Sequence, residues 1–296
     1  MRAVVRFGFL VATLAMGLSG CSTPDSPTSD PPVDSSHPEE NRPSSVAQTA
    51  PEGQFPSGAR VDYQLGGAYS PPAGVTLVVR DSTAASAPGM YNVCYVNGFQ
   101  TQPADRGLWL KERRDLILVD ENGSPRIDPN WPDELMIDTS TVPKRVRLLE
   151  IMGNSVRRCA ESGFQAVEID NLDSYTRSGG TLTIESNLAF AKQLADLAHG
   201  LSMAMGQKNA AELGARGKQE AGFNFAVSEE CLRFKECASY IAVYEQRVID
   251  IEYTDDLGGS VEEVCADPSR LVSTVIRDRN LVGQGAAGYF YHRCGS

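Results

Sequence analysis

The stretch Ala166-Val167-Glu168-Ile169-Asp170-Asn171-Leu172-Asp173-Ser174-Tyr175 decides the fold. Read as a strand, its side chains alternate, so Glu168 and Asp170 share one face and the apolar residues between them occupy the other. Two carboxylates on the inner face of a buried strand are unfavourable by several kcal/mol unless they are paired or hydrogen-bonded. The stretch therefore predicts a strand that carries a functional site.

Seven other short apolar or β-branched runs are predicted to be strands, with helical or looped segments between them, as is typical of βα units. Long helices are predicted at 142–162 and 184–199, before the fifth and sixth strands. Eight such strands predict an α/β protein with a (β/α)8 TIM barrel. The predicted strands are 61–65, 75–80, 91–96, 135–137, 166–169, 201–206, 223–228 and 248–251.

Polar side chains follow all eight predicted strands. In a (β/α)8 barrel the carboxyl ends of the strands converge on one face, where active sites are built. One or two polar residues at strand ends would mean little, but eight together predict a site. They are Gln64, Asp81, Asn97, Asp138, Asp170 with Asn171, Lys208 with Asn209, Glu229, and Glu252 with Tyr253.

The first 58 residues are predicted to lie outside the barrel domain, which spans 59–296. Residues 1–20 have a charged start and a short apolar run, which predicts a signal peptide. The ending Leu18-Ser19-Gly20-Cys21 resembles a bacterial lipoprotein box, which implies lipidation of Cys21 and an exported, membrane-anchored protein; the alternative is ordinary cleavage that leaves a free thiol. Residues 21–58 are rich in Pro and Ser and predict a disordered tether.

The exported chain is acidic. Loss of residues 1–20 removes two arginines and no acids, which leaves 25 basic against 38 acidic residues and a formal charge of −13. Nucleic acid is therefore an unfavourable partner, whereas a cationic or neutral polymer is compatible with this charge. Acidity that only aids solubility is the alternative interpretation.

Seven cysteines indicate an oxidising compartment. Cys231 and Cys237 are predicted to form a local bridge, and Cys265 with Cys294 would join the C-terminal tail to the domain. Two further candidates, Cys94 and Cys159, either pair or stay buried as thiols. No metal site is predicted, because no Cys-x2-Cys pair exists and the domain contains only two histidines.

Carboxylates are the remaining candidates for catalysis, since no nucleophile triad, phosphate-binding loop or metal-ligand spacing is visible. Two carboxylates that flank a bond, one as general acid and one as nucleophile or base, are the usual groups of glycoside hydrolysis. Asp170 with Glu229 or Glu230 would form such a pair, and alternation along the strand admits only one of the two glutamates.

An ordered set of short segments resembles the endo-α-1,4-polygalactosaminidase family, glycoside hydrolase family 114. The resemblance implies a (β/α)8 hydrolase that cleaves α-1,4-linked galactosamine and N-acetylgalactosamine polymers. It matches Asp170 to the strand-five aspartate and Glu229 to the strand-seven glutamate; we assign the first as nucleophile and the second as acid. The segments are 63–65, 94–95, 168–175, 198–202, 208–209, 225–231, 236–237 and 251–253.

The resemblance also implies a set of sugar-binding residues. The tyrosines would stack on sugar rings and the acids would bind the ammonium of deacetylated galactosamine, although the acids could instead stiffen the barrel mouth. Residues 62–64 and 98–103 depart from the family pattern. The predicted set is Gln64, Asp81, Tyr95, Asp138, Glu168, Asn171, Asp173, Lys208, Asn209, Glu252 and Tyr253.

The sequence thus predicts a monomer that acts on a polysaccharide without a cofactor. Two alternatives remain open at this point. One is a lipoprotein that binds polysaccharide without cleaving it, and the other is a hydrolase of the same fold that acts on a different glycan.

Overall fold

The computed structural model describes residues 55–295, which fold as a nearly closed, mostly parallel barrel surrounded by helices. Neighbouring strands follow the order β1-β2-β3-β6-β7-β8-β9-β10-β11, and β11 is antiparallel to β10. The (β/α)8 prediction is confirmed. The strands are β1 Val61–Gln64, β2 Leu77–Asp81, β3 Tyr91–Asn97, β4 Ile127–Asp128, β5 Trp131–Leu135, β6 Ala166–Asp170, β7 Ala204–Lys208, β8 Phe225–Glu229, β9 Val248–Tyr253, β10 Thr274–Arg277 and β11 Tyr291–Arg293.

Helices pack on the outside of the barrel. Both predicted long helices are confirmed, and the second begins with a capping box in which Thr183 and Ser186 exchange side-chain to backbone hydrogen bonds of 3.1 Å. The helices are α1 Arg106–Glu112, α2 Val142–Glu161, α3 Ile184–Gly200, α4 Cys231–Phe234, α5 Cys237–Tyr244 and α6 Val261–Ala266; the shorter helical segments are Pro103–Asp105, Arg114–Leu116, Leu172–Arg177, Ala211–Leu213 and Gly217–Ala221.

Alternation along β6 sends its two classes of side chain in opposite directions. Val167 and Ile169 pack outward in the layer between strands and helices, whereas Ala166 belongs to the cluster that fills the barrel interior. Glu168 and Asp170 therefore point inward, as the sequence predicts.

The predicted fourth strand is wrong. The segment around 135–137 forms no part of the barrel: β5 pairs antiparallel with β4 in a separate two-stranded sheet, and Met136 and Ile137 make only isolated bridges. Instead, β3 pairs directly with β6. The eighth parallel strand is β10, which was not predicted from the sequence. Asp170 therefore ends the fourth barrel strand and Glu229 the sixth.

The barrel is nearly closed between its first and last parallel strands. The Gly66 N–H donates to the Leu281 carbonyl at 3.1 Å, and the Arg277 guanidinium donates to the Tyr63 carbonyl. Within residues 55–295, no helix directly follows β1 or β2. A buried polar network covers the outward face of these two strands instead. Its members include Asp62, Gln64, Arg80 and Arg277.

The amino-terminal end of the barrel is filled by aromatic rings. Phe55 stacks on Phe225 with ring centroids 3.9 Å apart, and it meets Tyr91 edge-on at 5.5 Å. Gly206 leaves room for this packing, since a Cβ there would lie 2.4 Å from the Phe225 ring. Phe55 falls within the predicted tether, so the folded part begins before residue 59.

Disulfide bonds were predicted and are confirmed, with three among the described residues. They tie β3 to α2, α4 to α5, and α6 to the segment that follows β11. The pairs are Cys94–Cys159, Cys231–Cys237 and Cys265–Cys294.

The predictions for the amino terminus lie outside the described residues. They are the signal peptide at 1–20, the lipidated Cys21 and the tether up to residue 54. Within residues 55–295, no helix has the length and apolar character needed to cross a bilayer.

Candidate active site

Lys208 lies at the centre of a polar cluster at the carboxyl end of the barrel. Its Nζ donates to Glu168 Oε1 at 2.8 Å and to the Tyr63 hydroxyl at 3.1 Å. The same nitrogen is 3.8 Å from Asp170 Oδ1 and 3.8 Å from Glu229 Oε2. A single ammonium group therefore lies close to both carboxylates that were predicted to be catalytic.

Charge pairing keeps this lysine cationic in the interior. Burial lowers the pKa of Lys208, but Asp170, Glu168 and Glu229 around it raise that pKa well above its ordinary value. Glu168 is fully buried and also accepts a 2.6 Å hydrogen bond from the Tyr63 hydroxyl. Glu168 was predicted to bind sugar; the structure instead encloses it as the counter-ion of Lys208.

Asp170 accepts hydrogen bonds on both carboxylate oxygens. The Tyr95 hydroxyl donates to Oδ2 at 2.7 Å, and the Asn171 backbone N–H donates to Oδ1 at 2.8 Å. Asn171 adopts the left-handed conformation with φ 62°, and its side chain donates to Asn97 Oδ1 at 3.0 Å. The strand end thus fixes the carboxylate while leaving the Asp170 side chain 20% exposed.

Glu229 is held in a comparable way at the end of β8. The Tyr253 hydroxyl donates to Oε1 at 2.6 Å, and Asn209 Nδ2 donates to Oε2 at 2.9 Å. The side-chain oxygen Oδ1 of Asn209 accepts from the Glu229 backbone N–H at 2.9 Å, so one asparagine side chain bonds both the carboxylate and the backbone of Glu229. Burial raises the pKa of Tyr253 and of Tyr95 well above the usual value, so both hydroxyls keep the proton that they donate.

The Glu230 side chain does not point into the barrel. Phe225 and Val227 belong to the interior cluster, so alternation along β8 places Glu229 inside. The next residue, Glu230, is left-handed with φ 64°, and its carboxylate pairs with both terminal nitrogens of Arg279 at 2.7 and 3.3 Å. Arg279 also lies 4.4 Å from the centroid of the Tyr253 ring, so it supports the tyrosine that bonds Glu229.

The geometry is compatible with glycoside hydrolysis. Since Asp170 and Glu229 each have an oxygen 3.8 Å from Lys208 Nζ, these two oxygens lie no farther apart than twice that distance. Carboxyl separations of about 5–5.5 Å are typical of retaining glycosidases, and about 6.5–9.5 Å of inverting ones. Both side chains are partly exposed at the mouth of the barrel, where a glycosidic bond can reach them.

Comparison with known proteins decides the family. The model of glycoside-hydrolase family GH114 matches residues 42–296. This chain belongs to glycoside-hydrolase family GH114. It is accordingly a glycoside hydrolase, and a search of curated proteins found no match.

Two solved structures show the same fold as this GH114 chain. Ega3 from Aspergillus fumigatus, solved in complex with galactosamine, is 21% identical with a TM-score of 0.64; the match covers 84% of this chain and 100% of Ega3. The glycoside hydrolase domain of PelA from Pseudomonas aeruginosa is 11% identical with a TM-score of 0.52, and the match covers 77% of this chain and 98% of that domain. At these identities the likeness concerns the fold alone.

Two predicted sugar-binding residues of this GH114 domain face the wrong side of their strands. Gln64 points outward, where it donates to Asp62 Oδ2 at 2.7 Å and accepts from Arg80 at 2.9 Å. Glu252 also points outward, because the adjacent Tyr253 occupies the interior; it accepts from the Leu232 N–H at 2.8 Å. Both predictions are wrong: each residue lies at the carboxyl end of its strand, but neither side chain reaches the cluster around Lys208.

Two other predicted sugar-binding residues, Asp81 and Asp138, make local contacts rather than contacts with the cluster around Lys208. Asp81 accepts from the N–H and hydroxyl of Thr83 at 2.8 and 2.6 Å, which closes a turn after β2. Asp138 follows the segment that is not a barrel strand, and it pairs with Lys144 while accepting from the Ser140 N–H at 2.9 Å. These contacts explain both acids without a sugar.

Asp173 lies at the rim beside the cluster. Its carboxylate pairs with Arg177 at 2.7 Å, and Arg177 also pairs with Asp128 at 2.6 Å and donates to Asn171 Oδ1 at 3.2 Å. Of the predicted sugar-binding residues, the structure therefore brings Tyr95, Asn171, Lys208, Asn209 and Tyr253 into contact with the carboxylate pair.

Three members of the site were not predicted: Tyr63, Glu134 and Arg279. Asn97 was predicted to lie at the site but was given no role in it, and strand alternation would have placed Tyr63 inside. Glu134 comes from the hairpin β4–β5, and Arg279 follows the unpredicted strand β10. No spacing in the sequence connects these last two residues with Asp170 or Glu229.

The described residues contain one group with the spacing of metal ligands, Cys231, Cys237 and Asp250. The two cysteines form a disulfide, so neither offers the thiolate that a metal ion requires.

Proposed function

We propose that this GH114 chain is an endo-acting hydrolase of α-1,4-linked galactosamine and N-acetylgalactosamine polysaccharide. The observation that carries the proposal is that Asp170 and Glu229 both lie 3.8 Å from Lys208 Nζ, at the open end of the barrel. A protein that only bound polysaccharide would not need two partly exposed carboxylates held near one ammonium group.

In the proposed reaction, Glu229 donates a proton to the glycosidic oxygen while Asp170 attacks the anomeric carbon. The C–O bond to the leaving sugar breaks, and an ester forms between Asp170 and the retained sugar. Glu229, now ionised, then takes a proton from water, and the resulting hydroxide displaces Asp170. The carboxylates return to their starting states and the product keeps its anomeric configuration.

The exposure of the two side chains supports this division of roles. The Glu229 side chain is 32% exposed and the Asp170 side chain 20%. The acid and base must exchange protons with water once in each cycle, which favours the more open group. The nucleophile must instead be oriented, and Asp170 accepts hydrogen bonds from Tyr95 and from the Asn171 N–H. Glu229 is held by a comparable set of donors, so the difference in exposure is what separates the two roles.

The charge of the cleft supports an amino-sugar substrate. Asp170, Glu229 and Glu168 surround the buried cation Lys208, and Glu134 lies close enough to Asp170 for the two carboxyl groups to interact. A chain of galactosamine carries ammonium groups that such an acidic cleft attracts. The complex of Ega3 with galactosamine, a protein of the same fold, supports the same substrate class.

The site of action is part of the proposal. A signal peptide at 1–20, a lipid on Cys21 and a tether up to the barrel would hold the enzyme as a monomer on the outer side of a bacterial membrane. Its substrate would then be an exopolysaccharide, which is found in that location.

The test is the product size distribution from three polymers: α-1,4-galactosamine, its N-acetylated form, and α-1,4-galacturonan as an anionic control with the same linkage. We expect the purified protein to shorten the first two into oligosaccharides of intermediate length and to leave the third intact. Binding without cleavage would identify a polysaccharide-binding protein. Cleavage of the galacturonan alone would contradict the proposed substrate.

A further inference from the structure

Glu134 is a third carboxyl group beside the catalytic pair. It lies on β5, and its Oε2 accepts a 2.9 Å hydrogen bond from Asn97 Nδ2. Asn97 points into the barrel mouth, where it is the strand neighbour of Asp170. Asp170 also acts electrostatically on Glu134, and Glu134 acts on Tyr95, the residue that bonds Asp170. The hairpin β4–β5 therefore delivers a carboxyl group to the nucleophile's side of the cleft.

This carboxyl group is mostly buried, with 9% of the residue exposed, and the Asn97 contact is the one hydrogen bond found for it in the described part of the chain. Its second oxygen remains available to a ligand. Burial, together with Asp170 and Asp128, raises the pKa of Glu134 to about 8. A cation that reached it would recover the interaction that burial denies to the ionised group.

The neighbouring acids are already neutralised by cations. Lys208 pairs with Glu168, and Arg279 pairs with Glu230. Arg177 pairs with both Asp128 and Asp173. Glu134 has no ion-pair partner among residues 55–295 and stands out for this reason from the other acids that surround the pair.

We propose that Glu134 binds the nitrogen at carbon 2 of the galactosamine unit whose anomeric carbon faces Asp170, and so selects deacetylated over acetylated units. This inference rests on the proposed function. Carbon 2 adjoins the carbon that the nucleophile attacks, so a group beside Asp170 is well placed to contact its substituent.

Other positive groups in the cleft support this placement. Lys208 lies 3.8 Å from both Asp170 and Glu229, so a second ammonium beside it would be repelled. On the Asn97 side of Asp170 the ammonium meets Glu134, and the cation that acts on Glu134 there, Arg177, is already paired with Asp128 and Asp173. Ionised Glu134 forms a charge-assisted hydrogen bond with that ammonium, whereas toward an acetamide it acts only as a neutral donor.

The test compares Glu134→Gln with the wild type on fully deacetylated and fully acetylated α-1,4 polymers. Glutamine keeps the shape and can still donate to an acetamide carbonyl, but it cannot balance an ammonium. We expect kcat/KM to fall about 10- to 100-fold on the deacetylated polymer and less than about threefold on the acetylated one. The loss on the deacetylated polymer should shrink as salt is added.

Two further variants make the comparison sharper. Asp133→Asn removes the same charge from the exposed adjacent position and should leave the preference between polymers unchanged. Glu134→Asp keeps the charge on a shorter side chain and should retain more of the preference than Glu134→Gln. A change in preference in Asp133→Asn of the same size would mean that overall charge, rather than Glu134, selects the substrate, and this would overturn the inference.

The remaining outcomes separate the inference from the proposed function. Suppose that the wild type cleaves both polymers while Glu134→Gln lowers kcat/KM equally on both, or on neither. In that case Glu134 does not select the nitrogen and the inference is wrong. If the wild type cleaves neither polymer, the proposed function itself fails, and the inference fails with it.

Discussion

The two ends of the barrel interior are built from opposite kinds of side chain. At the amino-terminal end, Phe55 and Phe225 stack face to face within an apolar cluster. At the carboxyl end, Lys208 and Glu168 form a fully buried ion pair next to two partly exposed carboxylates. The same strands run through both ends. The comparison teaches that one end of each strand is used for stability and the other for chemistry.

The difference has an energetic basis. Burial of aromatic rings removes apolar surface from water and is favourable by about 25 cal/mol per Å². Burial of charges is unfavourable even when they are paired, because the ions lose their hydration. The apolar end must therefore compensate for the polar end, and variants at the two ends should have opposite effects on activity and on stability.

The largest effect should come from the catalytic pair. Asp170→Asn and Glu229→Gln should each lower the rate of polymer cleavage by at least about 100-fold, because each removes a group that acts in the transition state. Neither should lower the melting temperature, since each removes a charge from a crowded acidic cluster. Reducing-end release and thermal unfolding measure the two properties. Activity within tenfold of the wild type in either variant would exclude that residue from catalysis.

Removal of the central cation should damage both properties. Lys208→Met leaves Glu168 buried without a partner and should lower the free energy of unfolding by about 3–5 kcal/mol, with loss of activity. Adding Glu168→Gln to that variant should recover most of the stability but not the activity. Urea unfolding of the single and double variants checks this, and equal stability of the two would show that the ion pair does not maintain the polar end.

At the apolar end, a substitution should lower stability and leave activity nearly unchanged. Phe225→Ala removes a buried ring that packs on Phe55 and on Gly206, and it should lower the free energy of unfolding by about 3–5 kcal/mol. At a temperature where the variant stays folded, its turnover rate should remain within about threefold of the wild type. A selective loss of turnover would mean that packing at the apolar end also controls the catalytic end, which would contradict the separation of the two ends.

The smallest effect concerns pH. Burial raises the pKa of Glu134 to about 8, above the value near 4.5 expected in the unfolded chain. Between these values the unfolded state has lost a proton that the folded state keeps, so rising pH favours unfolding. Glu134→Gln removes this contribution, so its stability relative to the wild type should be higher at pH 8 than at pH 4. Urea unfolding at both values tests the sign; a wild type that gains relative stability toward pH 8 would contradict it.

Much of this arrangement could be predicted from alternation along single strands. The inward direction of Asp170 and Glu229 follows from the apolar residues that flank them on β6 and β8. Along β9, alternation places Glu252 on the outer face once Tyr253 is placed inside, so Glu252 is excluded from the site. Two predicted functions, for Gln64 and Glu252, are wrong because a position at a strand end does not reveal which face the side chain occupies.

Other parts of the site carry no local signal. Glu134 reaches the mouth from a two-stranded hairpin that lies outside the barrel, and its placement depends on the contact with Asn97. Arg279 follows a four-residue strand, too short to show a pattern, and contacts Tyr253 and Glu230 from other elements. Long-range packing of this kind is fixed by the whole fold rather than by spacing along the chain.

The assignment of roles to Asp170 and Glu229 is tested most directly by azide rescue, with an α-linked galactosamine oligosaccharide that carries a dinitrophenyl leaving group. Azide should restore Asp170→Gly by direct attack and give the β-azide, and it should restore Glu229→Gly by attack on the Asp170 ester and give the α-azide. Products with these two configurations exchanged would reverse the roles, and undiminished cleavage by either variant without azide would contradict the proposed pair.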